Sequence, residues 1–158
     1  MAQLTHFDAA GASRMVDVGA KEISRRTARA SGIVRMKGST LELIRNRALA
    51  KGDVLEVGRI AGIQAAKRTD ELIPLCHSLP LDSVAINFSF PDDTSVRIEA
   101  EVNVTARTGV EMEALTAVAA TGLTIYDMCK SVDRDMTLSE IRLEEKSGGR
   151  SGHWQRNN

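Results

Sequence analysis

The chain is poor in aromatic residues, at 3%, and in cysteine, with two among its 158 residues. It holds three prolines, no surplus charge of either sign, and no apolar run near the ~18 residues that a membrane span needs. Each shortage closes a class of function. Few aromatics leave little with which to build base-stacking platforms. Twenty-one basic side chains balanced by 21 acidic ones lack the positive surplus of a nucleic-acid binder. Two cysteines, Cys76 and Cys129, are too few for a disulfide framework. Free thiols and a start without a charged and then apolar leader lead us to expect the cytoplasm. No GxxxxGK[ST] loop and no dinucleotide-type glycine fingerprint occurs, so a nucleotide would rely on side-chain cations for its phosphates. No CxxC or HxxxH spacing occurs either. Cys76, His77 and Cys129 make a poor ligand set for zinc, and no metal or cofactor is expected.

What is present describes one domain. An apolar share of 42% and a charged share of 27% suit a single core with a charged surface. Residues 1–12 and 147–158 are expected to be loose ends. The clearest local pattern is a hairpin: Val84, Ile86, Phe88 and Phe90 alternate with polar or small residues, a Pro91-Asp92-Asp93-Thr94 turn follows, and Val96 to Val104 alternate again. A helix is expected from Asp53, its cap, with Glu56 in capping-box position, to about Ile73 before Pro74. Gly58, Gly62 and Ala66 recur along it every four residues and predict close packing. A second helix is expected over 109–131, with Leu115, Val118, Ala119, Gly122, Ile125, Tyr126 and Cys129 facing the sheet. A shorter one over 39–49 would be capped by Ser39 or Thr40. Further strands are expected at 15–18, at 33–36 and around Met136 to Leu143. The fold class is α+β, a ferredoxin-like antiparallel sheet with helices mainly on one face.

Glu113, Asp127 and Lys130 are expected on the flank of the long helix opposite its apolar face, with Ala117, Ala120 and Thr124 between them. So small a set of residues predicts that something packs there too, either another helix or a second chain. Glu113 and Asp127 lie fourteen residues apart, about 21 Å along a continuous helix, more than one small ligand spans. If both ends act, each serves a different site, completed by a neighbouring subunit. Asp127 and Lys130, at i and i+3, read either as an ordinary helix ion pair or as an acid–base pair. The segment Leu72–Pro80, stiffened by two prolines, presents Cys76 and His77 at its centre. Lys51 precedes a helix start, where an anion would meet unpaired N–H groups. Residue types alone reach no further than a phosphorylated small molecule.

Several stretches resemble the MoaC family of cyclic pyranopterin monophosphate synthases. They are Met15–Val18, Lys51–Asp53, Ala61–Thr69, Leu75–His77, Gly109–Thr116, Leu123–Lys130 and Lys146–Gly149, in order along nearly the whole chain. Ser78 departs from the family pattern, which has proline after Cys-His. The resemblance implies a lyase acting on a GTP-derived triphosphate, 3′,8-cyclo-7,8-dihydro-GTP, in molybdenum cofactor biosynthesis. It implies Asp127, Lys130 and Lys51 as catalytic residues. Leu75, Cys76, His77, Met112 and Glu113 match substrate-contacting positions, with Glu111, Arg26 and Lys146 as further candidates. It also implies a homohexamer built from dimers with shared active sites, and no nucleic acid or membrane as partner. The rival expectation is a non-catalytic oligomeric module that binds a phosphorylated ligand.

Overall fold

The computed structural model describes residues 6–8, 10–49, 52–150 and 152–157. In chain order the elements are β1 (Ser24–Arg35), α1 (Gly38–Arg45), α2 (Val54–Ala66), α3 (Thr69–Leu72), β2 (Ser83–Asp92), β3 (Ser95–Ala106), α4 (Glu111–Cys129), β4 (Thr137–Ser147) and β5 (Trp154–Gln155). The sheet runs β2-β3-β1-β4-β5, and each neighbouring pair is antiparallel. β3 therefore lies between β1 and β2, which run the same way, and α2 and α4 make the two crossovers of a ferredoxin-like βαββαβ unit. The fold is α+β, as expected.

Alternation decides which face is covered. Val96, Ile98, Ala100, Val102 and Val104 of β3 are buried, while Glu101 and Thr105 between them stay in solvent. On the covered face α4 approaches very closely: a Cβ on Gly32 of β1 would lie 2.7 Å from Val118, and one on Gly122 2.8 Å from Leu138. α2 then packs antiparallel to α4, Gly58 meeting Thr121 and Ile125, Gly62 meeting Thr121 and Ala117. The glycine strip thus has the packing purpose its spacing predicts. It also answers part of the small-residue question, because Ala117 is covered by α2 from the same chain.

Several expectations are corrected. The 15–18 stretch pairs with no strand among the described residues; its Val16 carbonyl accepts from His77 Nε2 instead, at 2.8 Å. The strand expected at 33–36 is the end of the twelve-residue β1. The long first helix breaks after Ala66, where the Thr69 hydroxyl donates to the carbonyls of Ala65 and Ala66 and competes with the helical bonds there. Asp53 does cap α2, accepting from the N–H groups of Leu55 and Glu56. At α1 neither Ser39 nor Thr40 is the cap. The carboxylate of Asp133, beyond α4, accepts from the Lys37 N–H at 2.8 Å and from the Thr40 hydroxyl at 3.1 Å. In the tail expected to be loose, Trp154 and Gln155 pair with β4.

Candidate active site

The antiparallel α2–α4 pair gives the molecule two functional ends. At the first, α2 leads through α3 into the loop that carries Leu75, Cys76 and His77, beside the first turn of α4 with Glu111, Met112 and Glu113. At the second lie the N-terminus of α2, at Gly52 and Asp53, and the last turn of α4, with Asp127 and Lys130.

The first end carries an open cleft of about 430 Å³ lined by all six of those predicted contact residues, together with Val16, Val18 and Lys21. The loop is tied down at several points. Cys76 N–H donates to the Ile73 carbonyl at 3.1 Å, the Ser78 hydroxyl donates to the Asp70 carboxylate, and His77 Nε2 lies 2.8 Å from the Val16 carbonyl. A carbonyl only accepts, so Nε2 carries a proton and donates it to Val16. The Asp70 bond is one that a proline at position 78 lacks the group to make. Glu113 is 4% exposed. Burial, with the charges of Glu111 and Asp70 adding to it, pushes its carboxyl up to about 7, so it exchanges a proton near neutral pH. Burial, then the charges of Glu113 and Asp70, also push the Cys76 thiol up. It therefore stays protonated, which argues against a nucleophilic role.

Next to this cavity lies a smaller one of about 150 Å³, lined by Lys21, Arg26, Lys146, Glu111 and the Gly148 turn. A wider trough of about 770 Å³ follows, with Lys21, Arg26, Gly149 and Arg150 in its walls. Lys146 pairs with Glu111 at 2.9 Å, and Arg26 donates from Nε to the Ala106 carbonyl at 3.0 Å. Gly148 and Gly149 hold φ of 96° and 71°, left-handed values that favour glycine, and a side chain on Gly149 would collide with the Arg26 guanidinium. The two predicted cations therefore join the six predicted contact residues along one continuous depression. Lys21 and Asp70 escaped sequence reasoning, and Val16 and Val18 entered it only within the Met15–Val18 stretch, not as site residues. The signal for Lys21 was its place just before β1, on the approach to Arg26.

Asp127 and Lys130 are elsewhere. They form an ion pair of 2.6 Å with side chains 63% and 52% exposed, and the Asp127 carboxylate raises the Lys130 pKa through its hydrogen bond and charge. Within one chain this is the ordinary helix pair. Glu113 is buried and these two are not, so the three do not share a single face. At about 100° per residue Lys130 lies about 100° round the helix from Glu113. α4 runs unbroken from Glu111 to Cys129, so the ~21 Å between Glu113 and Asp127 stands. Lys51 lies outside the described residues. Cys129 is buried in the core at this second end, apart from Cys76 and His77.

The MoaC family model matches residues 15–149. Cyclic pyranopterin monophosphate synthase 3 of Mycobacterium tuberculosis is 60% identical over 153 residues, covering 97% of this chain and 86% of its own length. The cyclic pyranopterin monophosphate synthase of Thermomicrobium roseum is 57% identical over 157 residues, 99% of this chain and 95% of its own. That of Desulfitobacterium hafniense is 54% identical over 154 residues, 98% and 94% respectively.

Proposed function

Because the chain belongs to the MoaC family, we propose that it is a cyclic pyranopterin monophosphate synthase of molybdenum cofactor biosynthesis. It rearranges 3′,8-cyclo-7,8-dihydro-GTP to cyclic pyranopterin monophosphate and releases pyrophosphate. One observation carries the reading: a cleft with a titrating carboxyl and a histidine shares wall residues with neighbouring depressions lined by Lys21, Arg26, Lys146 and Arg150. The ring system fits the first part and the phosphates the second, where cations offset their charge.

The chemistry needs proton transfers while the purine-derived rings open and reclose. In the last stage a sugar hydroxyl oxygen bonds to the α-phosphorus and the bond to the α–β bridging oxygen breaks. Pyrophosphate takes the electron pair, and the hydroxyl proton passes to a base. Lys130 serves as the main proton donor or acceptor, Asp127 positions it, and Lys51 is the second catalytic lysine. Asp127 and Lys130 line none of the described cavities, so a second copy must bring them. A twofold axis crossing α4 at Ala120, midway between Glu113 and Asp127, sets the Asp127 end of each copy against the Glu113 end of the other. Val57, Ile60 and Leu123, between 42% and 61% exposed on the helix layer, supply an apolar surface for that pairing. Dimers of this kind assemble into a hexamer. Burial in the partner's cavity strips water from Lys130 and lowers its pKa towards the working range. Free Cys76 and Cys129 fit a cytoplasmic location.

The test is to supply the purified protein with the cyclised dihydro-GTP and follow pterin product by mass spectrometry and pyrophosphate by a coupled assay. Stoichiometric appearance of both is expected. Tight binding without either product would replace the enzyme with a non-catalytic module.

A further inference from the structure

Among the described residues Lys21 alone lines all three cavities: the ring-sized one with His77 and Glu113, the small one with Arg26 and Lys146, and the wide trough with Arg150. Its backbone is held on both sides. The N–H donates to the Val18 carbonyl at 3.0 Å, and the carbonyl accepts from Arg107 Nε at 3.2 Å. Its side chain is half-buried, yet among the described residues it has no ion-pair partner. The other cations differ. Lys146 is already matched by Glu111, Arg26 is engaged by the Ala106 carbonyl, and Arg150 is exposed. A half-buried ammonium with no ion-pair partner of its own gains from an anion that joins it.

Its position says which anion. A ligand with its ring in the first cavity and its phosphate chain along the trough passes the junction with the phosphate attached to the sugar. We propose that Lys21 binds this α-phosphate, the one the product retains, whereas Arg26 and Arg150 hold the two phosphates that leave as pyrophosphate. This rests on the function proposed above. Lys21 transfers no proton in it; its ammonium binds the non-bridging oxygens of the phosphorus under attack and stays on them in the cyclic product.

The product and pyrophosphate therefore separate the two sets of cations. In the Lys21→Met variant the KM for the cyclised dihydro-GTP and the inhibition constant for cyclic pyranopterin monophosphate should both rise about 10–100-fold, the loss of one charge-assisted contact. Inhibition by inorganic pyrophosphate should stay as in the unmodified protein. Arg26→Met should do the reverse, weakening pyrophosphate more than the cyclic product. Lys21→Arg, which keeps the charge, should recover most of the product affinity. Lys21→Gln repeats the measurement if the methionine variant fails to fold. Weakened pyrophosphate inhibition in Lys21→Met, equal losses for both probes, or no loss for either would overturn the assignment. Failure of the unmodified protein to turn over would instead strike the proposed function, and is seen before any variant is made.

Discussion

The two ends of the α2–α4 pair are built to different standards. At the Glu113 end, polar groups are buried and tied to backbone carbonyls or to each other, around a cavity that a ligand can enter. At the Asp127 end, an exposed acid and an exposed amine form an i,i+3 ion pair at the close of one helix. On the function proposed above, the first end binds the ligand and the second becomes a site only when another copy covers it. Binding and proton transfer would then sit at opposite poles of one helix pair.

The largest expected effect is at the Asp127 end. Lys130→Ala should reduce turnover by about 10²–10⁴-fold, with the fold of each chain retained in circular dichroism because the side chain lies outside that chain's own core. Co-expression sharpens this into a test of the division itself. Heteromers of Lys130→Ala with His77→Ala carry both lesions in one shared site and none in the other. Recovery of activity above either variant alone is expected, and no recovery would break the comparison. Next in size is the spacer between the ends. A methyl on Gly62 would collide with Ile86 and Thr121, so Gly62→Ala should destabilise by about 1–3 kcal/mol in denaturant unfolding.

How far such a division could be foreseen depends on where its causes lie in the chain. The β2–β3 hairpin and the sheet-facing side of α4 were legible because period two and period 3.6 are local. So was the distance between Glu113 and Asp127, since a helix converts sequence separation directly into length. The break in α2 was not, because Thr69 competes for carbonyls through its side chain. Neither was the capping of α1, whose carboxylate comes from 96 positions away. The first half of β1, rich in arginine and small residues, has too weak an apolar alternation to announce a strand. Family resemblance supplied the names of the contact residues, but the junction role of Lys21 needed three cavity walls to meet at one side chain.

A smaller effect distinguishes the Glu113 end by its response to pH. Glu113 has its folded pKa raised from 4.5 to about 7, so the folded chain binds its proton more tightly than the unfolded one. The stability this gives is fully present below about pH 4.5 and is lost as pH rises through about 7. Glu113→Gln should remove that decline, giving a flatter stability curve between those values in urea titrations. An unchanged slope would show that the carboxyl is not held in a desolvated site.

The smallest effect returns to the other pole. Asp53 accepts from two otherwise unpaired N–H groups of α2 and pairs with Arg47 at 3.1 Å. Asp53→Ala should therefore cost about 1 kcal/mol, the usual weight of a helix cap. Where that loss is felt is the informative part. If the α2 terminus belongs with Asp127 and Lys130, the variant should lower kcat while leaving the KM for the cyclised substrate unaltered, because the cavity with His77 and Glu113 lies at the far end of both helices. A raised KM with normal kcat would place the cap in ligand binding and merge the two poles into one.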